Sequence, residues 1–142
     1  MAEQVFQIGV KGLVTNSEGK ILLVGRRGKD QNDRPHLDLP GGRIDGSESV
    51  LDALKRELQE EIGVTEYQVD GLYDALISNI TIPVGDIKVP LALVIYKVII
   101  PVEFTVVLGH EEELFDWFSP AEAAKHLVFK YPDYFVTKIA SL

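Results

Sequence analysis

The stretch GGRIDGSESVLDALKRELQEEIG, residues 41 to 63, concentrates carboxylates between glycines. Three of them, Glu57, Glu60 and Glu61, sit at spacings that a helix turns into a single face. At 100° per residue, with Glu57 at zero, Glu61 falls at about 40° and Glu60 at about −60°, a wedge of roughly 100°. Carboxylates about 5 Å apart repel by roughly 3 kcal/mol per pair at an effective dielectric of 20, and by less in full solvent. A solvated helix face tolerates that repulsion, and a glutamate-rich helix is often nothing more. A cleft does not tolerate it, and there a hard cation with oxygen ligands, such as Mg²⁺, is what offsets the charge. Arg56 lies four residues before Glu60, close enough to orient it.

The elements that must carry these groups can be read from apolar periodicity. Leu51, Leu54, Leu58 and Ile62 recur at helical spacing, about 105° from Glu57, so the helix can bury one face while its carboxylates point elsewhere. Gly63 suits the position just past its end, and Asp45 or Ser47 is expected to cap its start. Phe6 to Thr15 and Ile21 to Val24 read as two strands joined by the turn residues NSEGK. Val64 to Ser78 and Lys88 to Val107 read as strands separated by a turn around PVGD. A second helix is expected after Ser119, with Pro120 at its first position, and a short one over Tyr134 to Ile139. Strands and helices mixed in this order within 142 residues predict one α+β or α/β domain, residues 1 to 142, with a mixed sheet sandwiched between helices (α/β/α).

Composition narrows the chemistry. Asp and Glu outnumber Lys and Arg 22 to 14, and the net charge of −8 argues against a nucleic-acid polymer as partner. A phosphorylated small molecule remains compatible, because a divalent cation between carboxylates and phosphates inverts the local field. The absence of cysteine rules out disulfides, thiolate metal sites and cysteine nucleophiles. The N-terminus does not look like a signal peptide, and the most apolar run, Val89 to Val102, is too short and too interrupted for a membrane helix. A cytoplasmic location without a membrane partner is the expectation. The loop RRGKDQNDRPH is the most basic patch, and Arg26, Arg27 and Arg34 are candidate phosphate clamps, although such residues are commonly just solvated.

The full spacing goes further. Gly42, five residues, Glu48, seven residues, Arg56-Glu57-Leu58, one residue, Glu60-Glu61, one residue, Gly63-Val64 matches the pattern G-x5-E-x7-R-E-U-x-E-E-x-G-U, with U aliphatic, at every fixed position. Chance would supply that match on the order of once in 10⁹ trials. The chain therefore resembles the Nudix hydrolases, whose box this is. QIGVKGLVTNSEGKILLVGRR, LPGGRID and DWFSPAEA extend the likeness over essentially the whole chain, and RELQEEIG with LPGGRID leans towards the MutT-like nucleoside triphosphate pyrophosphohydrolases.

The resemblance implies hydrolysis of a nucleoside diphosphate linked to another moiety, most simply a nucleoside triphosphate, oxidised or non-canonical bases included, cut to monophosphate and pyrophosphate. It implies Mg²⁺, with Mn²⁺ as an alternative. By matching motif positions, Glu57, Glu60 and Glu61 would be metal ligands, Gly41 would offer its carbonyl, Gly42 would line the phosphate entry, Arg56 would position the glutamates, and Glu48 would orient the box. In the second acidic run, GHEEELFDW, Glu111 has the offset expected of a further ligand or general base, with Glu112 the alternative. Trp117 and Phe118 are expected in the core, and Tyr73, Asn79 and Phe104 are open candidates for facing a base. The resemblance also leaves open ADP-ribose, a nucleotide sugar or a dinucleoside polyphosphate as substrate, a homodimer, and a non-catalytic nucleotide-sensing module.

Overall fold

The computed structural model describes residues 3–28 and 35–142. Arg34, one of the candidate clamps, lies outside the described residues.

The described strands are β1 (Gln7–Thr15), β2 (Ile21–Arg26), β3 (His36–Asp38), β4 (Gly41–Arg43), β5 (Gln68–Val84), β6 (Ile87–Ile99) and β7 (Leu114–Phe118). The helices are α1 (Val50–Ile62), α2 (Pro120–Leu127) and α3 (Asp133–Ala140). One mixed sheet runs in the order β3-β2-β1-β6-β5, with β4 added beside β1 and β7 beside β2. The expected pairing of β1 with β2 is present but short, antiparallel at Thr15 and Ile21. Along its whole length β1 instead pairs in parallel with β6, from Gln7 opposite Leu91 to Thr15 opposite Ile99. That leaves the N-terminal half of its other edge to β4, where Lys11 stands opposite Gly41.

Side-chain alternation across the sheet builds two cores, which is what makes the molecule a sandwich. Val10, Val14, Leu22 and Val24 face Leu54, Leu58 and Ile62 of α1. Leu13, Ile21 and Leu23 face the other way, onto Ala123, Leu127, Phe135 and Ile139 of α2 and α3. Trp117 packs against the first of these cores and Phe118 against the second, as expected of core aromatics.

Local chemistry moved some boundaries. The cap of α1 is Ser49, not Asp45 or Ser47: its hydroxyl accepts from the Asp52 N–H at 3.1 Å, while Asp45 and Glu48 bond to each other in the loop before it. Gly63 ends the helix at φ 74°, with its N–H donating to the Gln59 carbonyl, as expected. Leu51 is 48 % exposed, and Ala53 takes its place in the buried stripe. The strand expected to reach Val107 stops at Ile99, followed by Pro101, and the chain continues irregularly to Glu113. Gly85 and Asp86 make the turn between β5 and β6, with Gly85 at φ 58°. Among the described residues no helix is long and apolar enough to cross a membrane.

Candidate active site

The carboxylate face of α1 is fixed at both ends of the helix. At the C-terminal end, the irregular segment after β6 docks onto the helix's free carbonyls: Val107 N–H donates to Ile62 O at 3.0 Å and Gly109 N–H to Glu61 O at 3.1 Å. Gly109 lies against the Glu60 carbonyl so closely that a Cβ would not fit. The far end of the same segment is tied to β2, by Glu113 N–H to Gly25 O at 2.9 Å and by Arg26 Nε to Glu111 O at 2.8 Å. The second acidic run is thereby held against the first.

At the N-terminal end Arg56 organises the box. Its Nε and Nη2 grip Glu48 in a bidentate pair at 2.7 and 2.8 Å, and Nη1 donates to Glu57 at 2.9 Å and to Glu60 at 3.4 Å. Nη2 also reaches the Arg43 carbonyl at 3.3 Å, tying the helix to β4. The Arg56 bonds, reinforced by the Asp45 N–H, hold the Glu48 carboxyl down at about 2. Glu48 thus anchors Arg56 from the loop before the helix.

Three cavities meet at Glu61. One of about 330 Å³ is lined by Glu57, Glu60, Glu61, Gly109, His110, Glu111 and Glu112. Another of about 530 Å³ runs over Gly41, Gly42, Arg43, Arg56, Glu57 and Glu61. The third, of about 280 Å³, passes Glu61 and Glu112 to Arg26, Lys11, Asp38, His36 and Phe129. Burial, together with the nearby charges of Glu112 and Glu57, pushes the Glu61 carboxyl up to about 8, even though the Gly41 N–H donates to it at 3.2 Å and Lys11 attracts it. Burial also raises Glu112. Glu111 and Glu112 both face this junction, and Glu112 is the more enclosed of the two.

A divalent cation fits this donor set. The groups are carboxylate and carbonyl oxygens, burial with Glu112 and Glu57 nearby disfavours a charged Glu61 until positive charge is supplied, and Gly42 gives the Glu57 carboxylate room that any Cβ would fill. Among the described residues no three such side chains already converge into a closed cluster, since Arg56 draws Glu57 and Glu60 towards itself. Of the candidate clamps, Arg26 lines the third cavity, while Arg27 is exposed and lines none of the three. The candidate base-facing residues lie elsewhere. Asn79 braces the Tyr131 carbonyl at 2.9 Å, Tyr73 packs edge-on against Phe135 at 5.9 Å, and Phe104 joins the α1 core.

Sequence reasoning missed a buried polar cluster beside the site. Lys11 and Lys130 share one oxygen of Asp38, at 3.1 and 2.6 Å, and the Tyr131 hydroxyl donates to the other at 2.7 Å. Burial alone would raise the Asp38 carboxyl, but Lys11 and Lys130 outweigh it and hold Asp38 at about 2. The available signal was Lys11 itself, one cation in a strand otherwise buried from Gly9 to Val14.

Known proteins place the chain. It is 36 % identical over 74 residues to the 8-oxo-dGTP diphosphatase of Haemophilus influenzae, covering 52 % of each protein. It is 41 % identical over 59 residues to the Escherichia coli 8-oxo-dGTP diphosphatase, covering 42 % of this chain and 44 % of that one. The chain thus spans about half the length of these curated relatives. The crystal structure of a MutT protein from Methanosarcina mazei superposes with a TM-score of 0.66 at 23 % identity, over 99 % of this chain and 95 % of the other. Residues 5–138 match the NUDIX domain model, and with the carboxylate face on α1 where that family carries its box, the chain belongs to the NUDIX family.

Proposed function

We propose that this chain is a divalent-cation-dependent pyrophosphohydrolase acting on a nucleoside triphosphate and releasing monophosphate and pyrophosphate. The observation that carries the reading is Glu61, a carboxylate of raised pKa at the junction of three cavities, backed by Glu57, Glu60 and Glu112. The partial likeness to 8-oxo-dGTP diphosphatases supports a triphosphate substrate.

Glu57, Glu60 and Glu61 hold the cation in this reading, with the Gly41 carbonyl beside them. When bound, the cation supplies charge neutralisation for the phosphates and acidifies water, as Mg²⁺ or Mn²⁺ does. Arg56, locked by Glu48, fixes where Glu57 and Glu60 point. Gly41 and Gly42 let the phosphates approach the backbone, and Arg26 offers an exposed guanidinium to a phosphate entering the third cavity. Glu112, the more enclosed of the two loop carboxylates, is the stronger candidate to take the proton from the attacking water, and Glu111 the alternative.

A release assay with Mg²⁺ over ordinary and oxidised nucleoside triphosphates, ADP-ribose, nucleotide sugars and dinucleoside polyphosphates tests this. Monophosphate plus pyrophosphate is expected from a triphosphate, and Glu60→Gln or Glu61→Gln should cut turnover roughly 100-fold or more while leaving the fold intact. Wild-type turnover in either variant would remove that residue from the ligand set. Activity confined to ADP-ribose or a sugar would replace the proposed substrate.

A further inference from the structure

Lys11 occupies a position that the proposed chemistry does not use. Its side chain is 8 % exposed, its ammonium is anchored by Asp38 at 3.1 Å, and it donates to the Gly41 carbonyl at 3.4 Å. That carbonyl is one of the oxygens assigned to the cation, and Lys11, Gly41 and Glu61 line one cavity. Register explains the placement, since Lys11 on β1 pairs directly with Gly41 on β4. Asp38 cannot neutralise it fully, because the same carboxylate also serves Lys130 at 2.6 Å.

We propose that Lys11 is a resident cation of the site: its ammonium, held against the Gly41 carbonyl beside Glu61, occupies this corner of the carboxylate cluster and weakens divalent-ion binding there. The inference rests on the metal-site reading given above. Lys11 is a positioning residue here, acting on the cation's site through charge and through the Gly41 carbonyl. A fixed positive charge within one cavity of the carboxylates lowers the affinity of any second cation, the more so where solvent is partly excluded.

Mn²⁺ binding to the nucleotide-free protein, followed by calorimetry and by the electron paramagnetic resonance of free Mn²⁺, reads this directly. Lys11→Met is expected to bind Mn²⁺ about tenfold or more tightly than wild type, and Lys11→Arg, which keeps the charge, within about twofold of it. Equal or weaker Mn²⁺ affinity in Lys11→Met would overturn the proposal. Should that variant not fold, Lys11→Gln, which keeps a polar end for Asp38, carries the same comparison. Glu61→Gln run alongside separates the two ideas: if it does not weaken Mn²⁺ binding, the metal-site reading fails. If it does while the Lys11 variants stay at wild-type affinity, only the resident-cation proposal fails.

Discussion

Asp38 and Glu61 line the same cavity and are both influenced by Lys11, yet their carboxyls stand at about 2 and about 8. Burial opposes the charge of both. Asp38 has two ammonium groups and a tyrosine hydroxyl in contact, whereas Glu61 has one backbone N–H, a more distant lysine and two glutamates against it. The first is a polar cluster in which two ammonium groups share one carboxylate, and it holds β1, β3 and the segment after α2 together. The second is left short of positive charge. A carboxylate already outnumbered by ammonium groups has little affinity left for an incoming cation, so the shortage of positive charge at Glu61 is the property that suits it to bind one.

That contrast can be broken most forcefully from the closed side. Asp38→Asn leaves Lys11 and Lys130 buried without their counter-charge and should cost about 3 kcal/mol in urea unfolding, whereas Glu60→Gln on the exposed face of α1 should leave stability nearly unchanged. Equal effects would mean that the two carboxylate environments do not differ as described.

Arg56→Lys tests the open side. A lysine cannot reproduce the bidentate grip on Glu48 while also reaching Glu57, so Mn²⁺ affinity should fall roughly 10-fold with only a small change in melting temperature. Unchanged affinity would show that Glu57 and Glu60 need no orienting.

A further test is the pH dependence of stability without metal, where the two groups act with opposite sign. The Asp38 carboxyl lies below its ordinary 3.8, so its contribution is present above about pH 4 and is lost as pH falls through about 2. The Glu61 carboxyl lies above its ordinary 4.5, so its contribution is present below that value and is lost as pH rises through about 8. Melting curves of wild type should therefore decline between about pH 5 and 8, and Glu61→Gln should flatten that decline. An identical slope in the variant would remove Glu61 as its source.

Much of the open side was legible in the chain. The helix carrying Glu57, Glu60 and Glu61, its end at Gly63, and the pairing of Arg56 with its neighbours are local, set by spacings of one to four residues and by 3.6-residue periodicity. The helix after Ser119 was legible for the same reason: serine caps it and Pro120 opens it. Exposure set by packing was less so, as Leu51 on the apolar stripe attests.

The sequence by itself determined which residues form the carboxylate face and that they point away from the helix's buried stripe, because both follow from the geometry of one helix. Only the tertiary structure decided what surrounds that face. The docking of Gly109 on the end of α1 brings Glu111 and Glu112 to Glu61, and the parallel pairing of β1 with β6 turns the opposite edge of β1, with Lys11, towards Gly41. Lys11 joins Asp38, and Asp38 joins Lys130 across 92 residues of chain. Contacts at that separation are selected by the packing of the whole sheet between its helices, and no local spacing encodes them.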